Sequence, residues 1–168
     1  MGTASIKALA LDVDGVLTDG GFYWGPNGEE WKRFCFADVM GLSLARKAGL
    51  IVALISGEDS PLISRYARKL GITDVEKPCT DKAQAVRLVA GRHGIVPLEV
   101  CFMGDDVNDL GAMDICGLAA APADARQIVL DRADVITTRP GGNGAVRELI
   151  DMLLTDSGRL RSLPRQMH

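Results

Sequence analysis

Histidine, aromatic residues and long apolar runs are all scarce in this sequence. Two histidines occur among its 168 residues and aromatic residues make up 5%, so we expect other side chains to carry any acid–base chemistry. The formal net charge of −3 argues against a general nucleic-acid-binding protein. No apolar run approaches the roughly 20 residues that cross a bilayer, and no basic segment followed by an apolar one opens the chain. We therefore expect no nucleic-acid or membrane partner and a cytoplasmic location.

Cysteine pairs with metal-ligand spacing are also missing. The four cysteines have no C-x-x-C spacing, and Cys101 lies inside an apolar run. We expect reduced and mostly buried thiols, which excludes a disulfide framework and a zinc site. A chain of this length can bury one substantial core. We predict a single domain over residues 1–154 and a loose C-terminal tail over 155–168.

Short apolar runs alternate with helical patterns along the chain. Strands are predicted over 9–11, 50–55, 74–76 and 100–103, with shorter apolar pieces at 117–121 and 134–136. Helices are predicted over 39–48, from a cap at Ser60 to 70, from a cap at Thr80 or Asp81 to about 90, and over 110–115, 124–132 and 145–154. This alternation predicts an α/β fold with a doubly wound parallel sheet.

Residues 20–36 break the alternation and predict a β-hairpin flap. A turn at Gly25-Pro26-Asn27-Gly28 separates two strand-like runs that contain most of the aromatic residues of the chain. An exposed, adhesive flap and a hairpin packed on its own domain are both consistent with this composition.

Polar side chains follow the predicted strands at their carboxyl ends. They are Asp12 and Asp14 after the first strand, Ser56 after the second, Lys82 after the short third, and Asp105, Asp106 and Asp109 after the fourth. Parallel strands bring their carboxyl ends to one edge of the sheet, so these side chains should converge. Taken singly, the Asp12–Asp14 pair is also typical of a solvated turn, and Lys82 of a helix surface.

The converging groups suit phosphoryl transfer. Several carboxylates favour a hard cation such as Mg²⁺. One carboxylate can attack a phosphate to form an aspartyl-phosphate, while a second acid protonates the leaving alkoxide and then activates water. A lysine and a serine hydroxyl can bind the phosphoryl oxygens. The pattern predicts a Mg²⁺-dependent enzyme acting on phosphate esters.

Four motifs follow one another along the chain: Asp12-Val13-Asp14-Gly15-Val16-Leu17-Thr18, Ile55-Ser56-Gly57, Lys82 and Gly104-Asp105-Asp106-Val107-Asn108-Asp109. With these motifs in order, the sequence resembles the haloacid dehalogenase superfamily of phosphotransferases. The resemblance implies a Rossmann-like core in which Asp12 is the nucleophile and Asp14 the general acid and base. It also implies a Mg²⁺ site formed by Asp12, the backbone carbonyl of Asp14, and Asp105.

Further roles are implied by the same resemblance. Ser56, Gly57 and Lys82 would hold the phosphate, and Asp106 and Asp109 would orient either the waters of the metal or Lys82. The intervals between the motifs leave no room for the cap domain that many members carry. A capless site needs another way to exclude water, and a neighbouring subunit would supply it.

The chain is further similar to capless phosphatases that act on the terminal phosphate of 2-keto-3-deoxy sugar acids. The similarity extends through Thr18-Asp19-Gly20-Gly21, residues 28–30, residues 38–41 and the glycine-rich segment 139–148. It implies a phosphorylated sugar acid as substrate and a homotetramer in which the hairpins associate. In that family the glycine-rich segment lies near the subunit boundary, and a flexible loop with a helix cap is the simpler interpretation.

The residues that bear on the carbon number of the sugar acid resemble two different branches of the family. Glu58, with Lys69 eleven residues later, resembles the nine-carbon branch, in which the pair would contact the substrate or each other. Asp59-Ser60-Pro61 resembles the eight-carbon branch. We expect a nine-carbon nonulosonate 9-phosphate, with 3-deoxy-D-manno-octulosonate 8-phosphate of lipopolysaccharide synthesis as the alternative. A phospho-receiver and a noncatalytic tetramerisation domain are the alternatives of other classes.

Overall fold

A six-stranded parallel sheet forms the centre of the computed structural model, which describes residues 6–158. The strands are β1 (Ala8–Leu11), β2 (Tyr23–Trp24), β3 (Glu30–Trp31), β4 (Ile51–Ile55), β5 (Asp74–Glu76), β6 (Val100–Met103), β7 (Leu118–Ala121) and β8 (Val135–Ile136). The sheet has the order β5-β4-β1-β6-β7-β8, and β2 and β3 form a separate antiparallel pair. The chain winds outward from β1 in both directions, so the predicted doubly wound sheet is confirmed.

Two layers of helices cover the sheet. The helices are α1 (Phe36–Lys47), α2 (Pro61–Leu70), α3 (Lys82–Arg92), α4 (Leu110–Met113), α5 (Gln127–Leu130) and α6 (Ala145–Asp156). Because side chains alternate along a strand, Leu9 and Leu11 face a core with α1, α2 and α6. Ala8 and Ala10 face a second core with α3, α4 and α5. None of the helices in residues 6–158 is long and apolar enough to cross a membrane.

The helix ends follow from local chemistry. The Ser60 hydroxyl accepts the Leu62 N–H, Pro61 occupies the first helical position, and Gly71 ends α2 at φ 65°, a conformation that glycine adopts without steric cost. The Asp81 carboxylate accepts the Gln84 N–H at 2.9 Å. This cap begins α3 at Lys82 and thereby places the lysine at the carboxyl edge of the sheet.

The hairpin is shorter than predicted and has two different ends. Its strands have two residues each, and Trp24 and Trp31 near its turn are 72% and 54% exposed. At its base, the Phe34 ring stacks on Tyr66 with centroids 3.9 Å apart. Phe36, predicted to close the hairpin, instead begins α1. The tip is therefore exposed while the base packs on the domain.

Several predicted helices are wrong in extent, since α1 begins three residues before the predicted residue 39 and α4 ends two residues before the predicted residue 115. The predicted helix 124–132 is reduced to α5, because the Ala123 and Arg126 N–H groups bond to Arg139 O and Asp105 O. The last helix runs to Asp156, two residues past its predicted end. The remaining part of the predicted tail, residues 159–168, lies outside the described residues. All four cysteines are free thiols.

Candidate active site

Asp12 lies directly after β1 at the carboxyl edge of the sheet and is 6% exposed. Its backbone N–H donates to Met103 O at 3.0 Å, which continues the pairing of β1 with β6 past the end of the strand. The carboxylate Oδ1 accepts the Val13 N–H at 2.7 Å. One contact therefore fixes the backbone of Asp12 and the other holds its carboxylate.

Lys82 connects Asp12 to a buried acid on the opposite side. Its Nζ lies 2.9 Å from Asp12 Oδ1 and 2.6 Å from Asp109 Oδ1, and the lysine side chain is 1% exposed. Asp109 Oδ2 also accepts the N–H groups of Asp105 and Asp106, at 2.9 and 3.2 Å. Asp109 thus positions Lys82 and the loop after β6, which is one of the two roles implied by the sequence.

Glycine at two positions lets the acidic loops approach each other. A Cβ on Gly15 would lie 2.1 Å from Asp105 Oδ2, and Gly15 has φ +86°. A Cβ on Gly104 would lie 2.4 Å from Asp109 Cβ. Both contacts are far closer than atoms can pack, so a side chain at either position would separate Asp105 from Asp12.

The buried acids repel one another and lack enough positive charge. Burial, together with repulsion from Asp109, raises the pKa of Asp12 to about 8, although Lys82 opposes the shift. Burial and the nearby Asp109 and Asp106 raise the pKa of Asp105 to about 6. Such shifts are typical of carboxylates gathered around the place of a cation.

The donor set fits a divalent cation with oxygen ligands. Carboxylate oxygens of Asp12, Asp105 and Asp109 lie within 4.8 Å of one another. Asp109 already accepts from Lys82 and two backbone N–H groups, whereas Asp105 Oδ1 is buried with no hydrogen-bond partner. The carboxylate oxygens that remain free to bind a cation therefore lie on Asp105 and near Asp12. Oxygen-only donors at this density suit Mg²⁺.

A second charged cluster lies at the rim, and the sequence analysis missed its central residue. Lys32 Nζ lies 2.6 Å from Asp14 Oδ1 and 2.8 Å from Glu58 Oε2, with a lysine side chain only 4% exposed. The Thr18 hydroxyl also donates to Asp14 Oδ1, at 3.3 Å. The alternation of β3 indicates that Glu30 and Lys32 share a face, but nothing in the sequence indicates that this face covers the site.

Ser56 and Glu58 reach the same site from the loop after β4. Ser56 is 1% exposed and its hydroxyl accepts the Glu58 N–H at 3.1 Å. Most of the predicted site residues line one cavity of about 580 Å³. Its lining includes Asp12, Asp14, Lys32, Ser56, Gly57, Glu58, Lys82, Asp105 and Asp106. The strand-end groups therefore converge as predicted, with Asp109 beneath them.

Lys69 is the predicted site residue that does not join this cavity. It lies in the last turn of α2 and lines a separate groove together with Trp31, Phe36 and Tyr66. The partner of Glu58 is Lys32, so the predicted contact between Glu58 and Lys69 is absent from the structure. In the structure, the Lys32 ammonium of the hairpin contacts both Asp14 and Glu58.

The glycine-rich segment packs against the loop that carries Asp14. The Gly142 N–H donates to Val16 O at 2.9 Å, and a Cβ on Gly141 would lie 1.8 Å from Gly15 O. Arg33 of the hairpin donates to Gly142 O at 2.9 Å. The segment thus joins the hairpin to the Asp12–Thr18 loop within one chain.

The comparisons with known proteins agree with this geometry. Residues 44–149 match the family of haloacid dehalogenase-like hydrolases. The chain is 40% identical over 156 residues to the 3-deoxy-D-manno-octulosonate 8-phosphate phosphatase KdsC of Escherichia coli (strain K12), covering 93% of this chain and 83% of that protein.

Solved structures extend the likeness to the fold. The Yersinia pestis 3-deoxy-D-manno-octulosonate 8-phosphate phosphatase superposes with a TM-score of 0.92 at 36% identity, covering 95% of this chain and 86% of that one. The Moraxella catarrhalis enzyme, solved with magnesium ion, phosphate ion and KDO, also has a TM-score of 0.92, at 33% identity over 95% and 92% of the two chains. The chain belongs to the haloacid dehalogenase-like hydrolase family and is a Mg²⁺-dependent phosphatase that cleaves phosphate monoesters.

Proposed function

We propose that this phosphatase releases phosphate from 3-deoxy-D-manno-octulosonate 8-phosphate. The observation that supports this reaction is a buried cluster of charged side chains. In it, Lys82 Nζ lies 2.9 Å from Asp12 Oδ1 and 2.6 Å from Asp109 Oδ1. Support for the substrate comes from the relatives, whose names specify the eight-carbon acid. These relatives favour the eight-carbon alternative over the nine-carbon substrate that Glu58 and Lys69 suggested.

Asp12 is the nucleophile in this proposal. Its carboxylate attacks phosphorus as the bond from phosphorus to the sugar oxygen breaks, which gives an aspartyl-phosphate and the free sugar acid. The backbone contacts of Asp12 and its contact with Lys82 fix one oxygen of the carboxylate. Holding the attacking group in one orientation lowers the entropic part of the barrier.

Asp14 is the general acid and base. It lies two residues after the nucleophile and lines the same cavity. The carboxyl group gives a proton to the leaving alkoxide in the first step and takes one from the attacking water in the second. The contacts from Lys32 and Thr18 keep the side chain facing the cavity.

The remaining polar groups hold the phosphate and the cofactor. The Ser56 hydroxyl, the Gly57 backbone and the Lys82 ammonium would bind phosphoryl oxygens, and Asp106 would act as a supporting acid; all four residues line the cavity. Asp12, Asp105 and the Asp14 carbonyl would hold Mg²⁺, which when bound offsets the charge of the carboxylates and the phosphate.

We also propose that copies of this chain associate through their hairpins. Phe22, Trp24 and Trp31 are 66%, 72% and 54% exposed, and a patch of large exposed aromatics is typical of a protein interface. Association would help to exclude water from the open cavity. Light scattering of the purified protein should give a mass of four chains, with two chains as the nearest alternative.

Phosphate release with Mg²⁺ from the eight-carbon 8-phosphate and a nine-carbon 9-phosphate tests the substrate proposal. We expect kcat/KM to be at least about 10-fold higher for the eight-carbon acid, a difference of about 1.4 kcal/mol in transition-state binding. Asp12→Asn should abolish release from both esters. Preference for the nine-carbon acid would reject the substrate, and full activity of Asp12→Asn would reject the nucleophile.

A further inference from the structure

Lys32 is a nearly buried cation that lines the cavity and that the proposed mechanism leaves without a chemical task. It follows β3 of the hairpin, yet its side chain is 4% exposed and lies within 2.8 Å of two carboxylates, with the Glu30 carboxylate farther away at 3.8 Å. Although burial opposes the charged form, hydrogen bonds and attraction from Asp14 and Glu58 raise the pKa of Lys32. The residue therefore remains a cation held between two acids.

The two oxygens of Asp14 have different surroundings. Oδ1 accepts from the Lys32 ammonium at 2.6 Å and from the Thr18 hydroxyl at 3.3 Å. Oδ2 is buried with no hydrogen-bond partner. Two donors already occupy Oδ1, whereas Oδ2 is left available to an atom of the substrate. The asymmetry leaves Oδ2 as the oxygen that exchanges protons.

We propose that Lys32 is a positioning residue that occupies Asp14 Oδ1 and so directs proton transfer through Oδ2. The proposal rests on the role of Asp14 in the proposed function. As the oxygen–phosphorus bond breaks, the Oδ2 proton passes to the alkoxide oxygen, Asp14 becomes a carboxylate, and the ammonium of Lys32 keeps its own protons. Lys32 touches Asp14 and Glu58, and its effect on the reaction passes through Asp14.

A second contact, with Glu58, also holds the Lys32 ammonium in place. Glu58 Oε2 lies 2.8 Å from Lys32 Nζ, and the backbone N–H of Glu58 donates to the Ser56 hydroxyl. The ammonium is thus fixed from the hairpin and from the loop after β4. Removing the ammonium would free the Asp14 side chain to rotate and to present either oxygen.

The leaving group provides the test. An alkyl phosphate such as 3-deoxy-D-manno-octulosonate 8-phosphate needs a proton on its leaving oxygen, whereas the nitrophenolate of p-nitrophenyl phosphate departs without one. The ratio kcat/KM covers the steps up to departure of the leaving group. We expect Lys32→Met to lower kcat/KM about 10- to 100-fold on the alkyl ester and less than about 3-fold on the aryl ester, a partial loss of the ~10²–10⁴-fold that general acid catalysis contributes.

Two further variants serve as controls for the comparison of the alkyl and aryl esters. Lys77→Met removes a lysine that makes a single 2.7 Å contact with Asp59 and does not line the cavity, and it should leave both kcat/KM values unchanged. Lys32→Arg restores the cation and should recover most of the alkyl activity, which a loss of folding would not allow. Equal losses on the two esters, or a change in KM alone, would overturn the proposal.

The outcomes also separate this inference from the proposed function. Absence of release from the octulosonate ester by the unmodified protein would reject the substrate. Any other alkyl phosphate that the protein cleaves then serves as the comparison with the aryl ester, so the role of Lys32 is still decided. Asp14→Asn should show the same alkyl-selective loss as Lys32→Met, and a different selectivity would also contradict the proposal.

Discussion

The active site contains two charged clusters that are built in different ways. The inner cluster of Asp12, Lys82 and Asp109 comes from strand ends and from the first turn of α3, and it is almost completely buried. The rim cluster of Asp14, Lys32 and Glu58 depends on the hairpin, and its two acids are 32% and 39% exposed. In the proposed mechanism, the sheet positions the nucleophile, while a peripheral hairpin positions the proton donor. The two halves of the reaction therefore depend on different parts of the fold.

Replacing Lys82 by methionine should disrupt the inner cluster most severely. The change leaves two buried carboxylates without their cation, which costs about 3 kcal/mol of unfolding free energy and about 10²–10³-fold in kcat. Urea unfolding and phosphate release measure the two effects. Lys77→Met is the matched control, since it also removes an ion-paired lysine but lies outside the cavity. Near-normal kcat in Lys82→Met would contradict the assigned role.

Replacing Gly141 by alanine should disturb the loop that links the two clusters. The new Cβ would lie 1.8 Å from Gly15 O, so the Asp12–Thr18 loop must move. We expect a loss of about 1–3 kcal/mol in stability and about 10-fold in kcat. Gly91→Ala, in the last turn of α3 with nothing near its Cβ, should instead stabilise by up to about 1 kcal/mol. Equal effects of the two variants would reject this explanation.

The charge imbalance of the inner cluster predicts how stability changes with pH when Mg²⁺ is removed. The native pKa of Asp12 is raised from 3.8 to about 8, so the native state binds more protons than the unfolded state and loses stability as pH rises over that range. Bound Mg²⁺ stabilises the charged carboxylates. The difference in Tm between protein with Mg²⁺ and protein with EDTA should widen by at least about 2 °C from pH 6 to pH 8.

Asp12→Asn provides the control for this measurement. Without the titrating carboxylate, the widening should become smaller, although Asp105, whose pKa is raised to about 6, still contributes near the lower end of the range. A Tm difference that narrows as pH rises would contradict the assignment of these acids to the Mg²⁺ site.

The smallest predicted effect concerns the coupling within the rim cluster. Glu58→Gln keeps the size of the side chain but weakens its hold on Lys32, so kcat/KM on the alkyl ester should fall only about 2- to 5-fold, in line with a partly exposed ion pair. In combination with Lys32→Met, the losses should be less than additive, because both changes remove the same contact. Strict additivity would show that Glu58 acts independently of Lys32.

The residues at the strand ends were predictable from the sequence because each follows an apolar run within two residues. Asp12, Ser56 and Asp105 are placed by strands, and the carboxyl ends of parallel strands must meet. Lys82 follows equally from the Asp81 cap of α3. For these positions, local patterns and sheet topology are sufficient.

The rim was not predictable in the same way. Lys32 reaches Asp14 because the base of the hairpin is fixed by Phe34 on Tyr66 and by Arg33 on Gly142, and these contacts join distant parts of the chain. The same limitation explains the error over residues 124–132, where backbone donors bond to residues remote in sequence in place of helix partners. Patterns within a short window carry no information on such contacts.

The position of the tryptophans gives the protein a built-in optical reporter. The chain has two tryptophans, Trp24 and Trp31, and both lie on the hairpin and are more than half exposed. Its ultraviolet emission therefore originates almost entirely from this one element. Quenching by acrylamide would follow the covering or release of the hairpin during association and substrate binding, with no label attached and with the sheet and its catalytic acids spectroscopically silent.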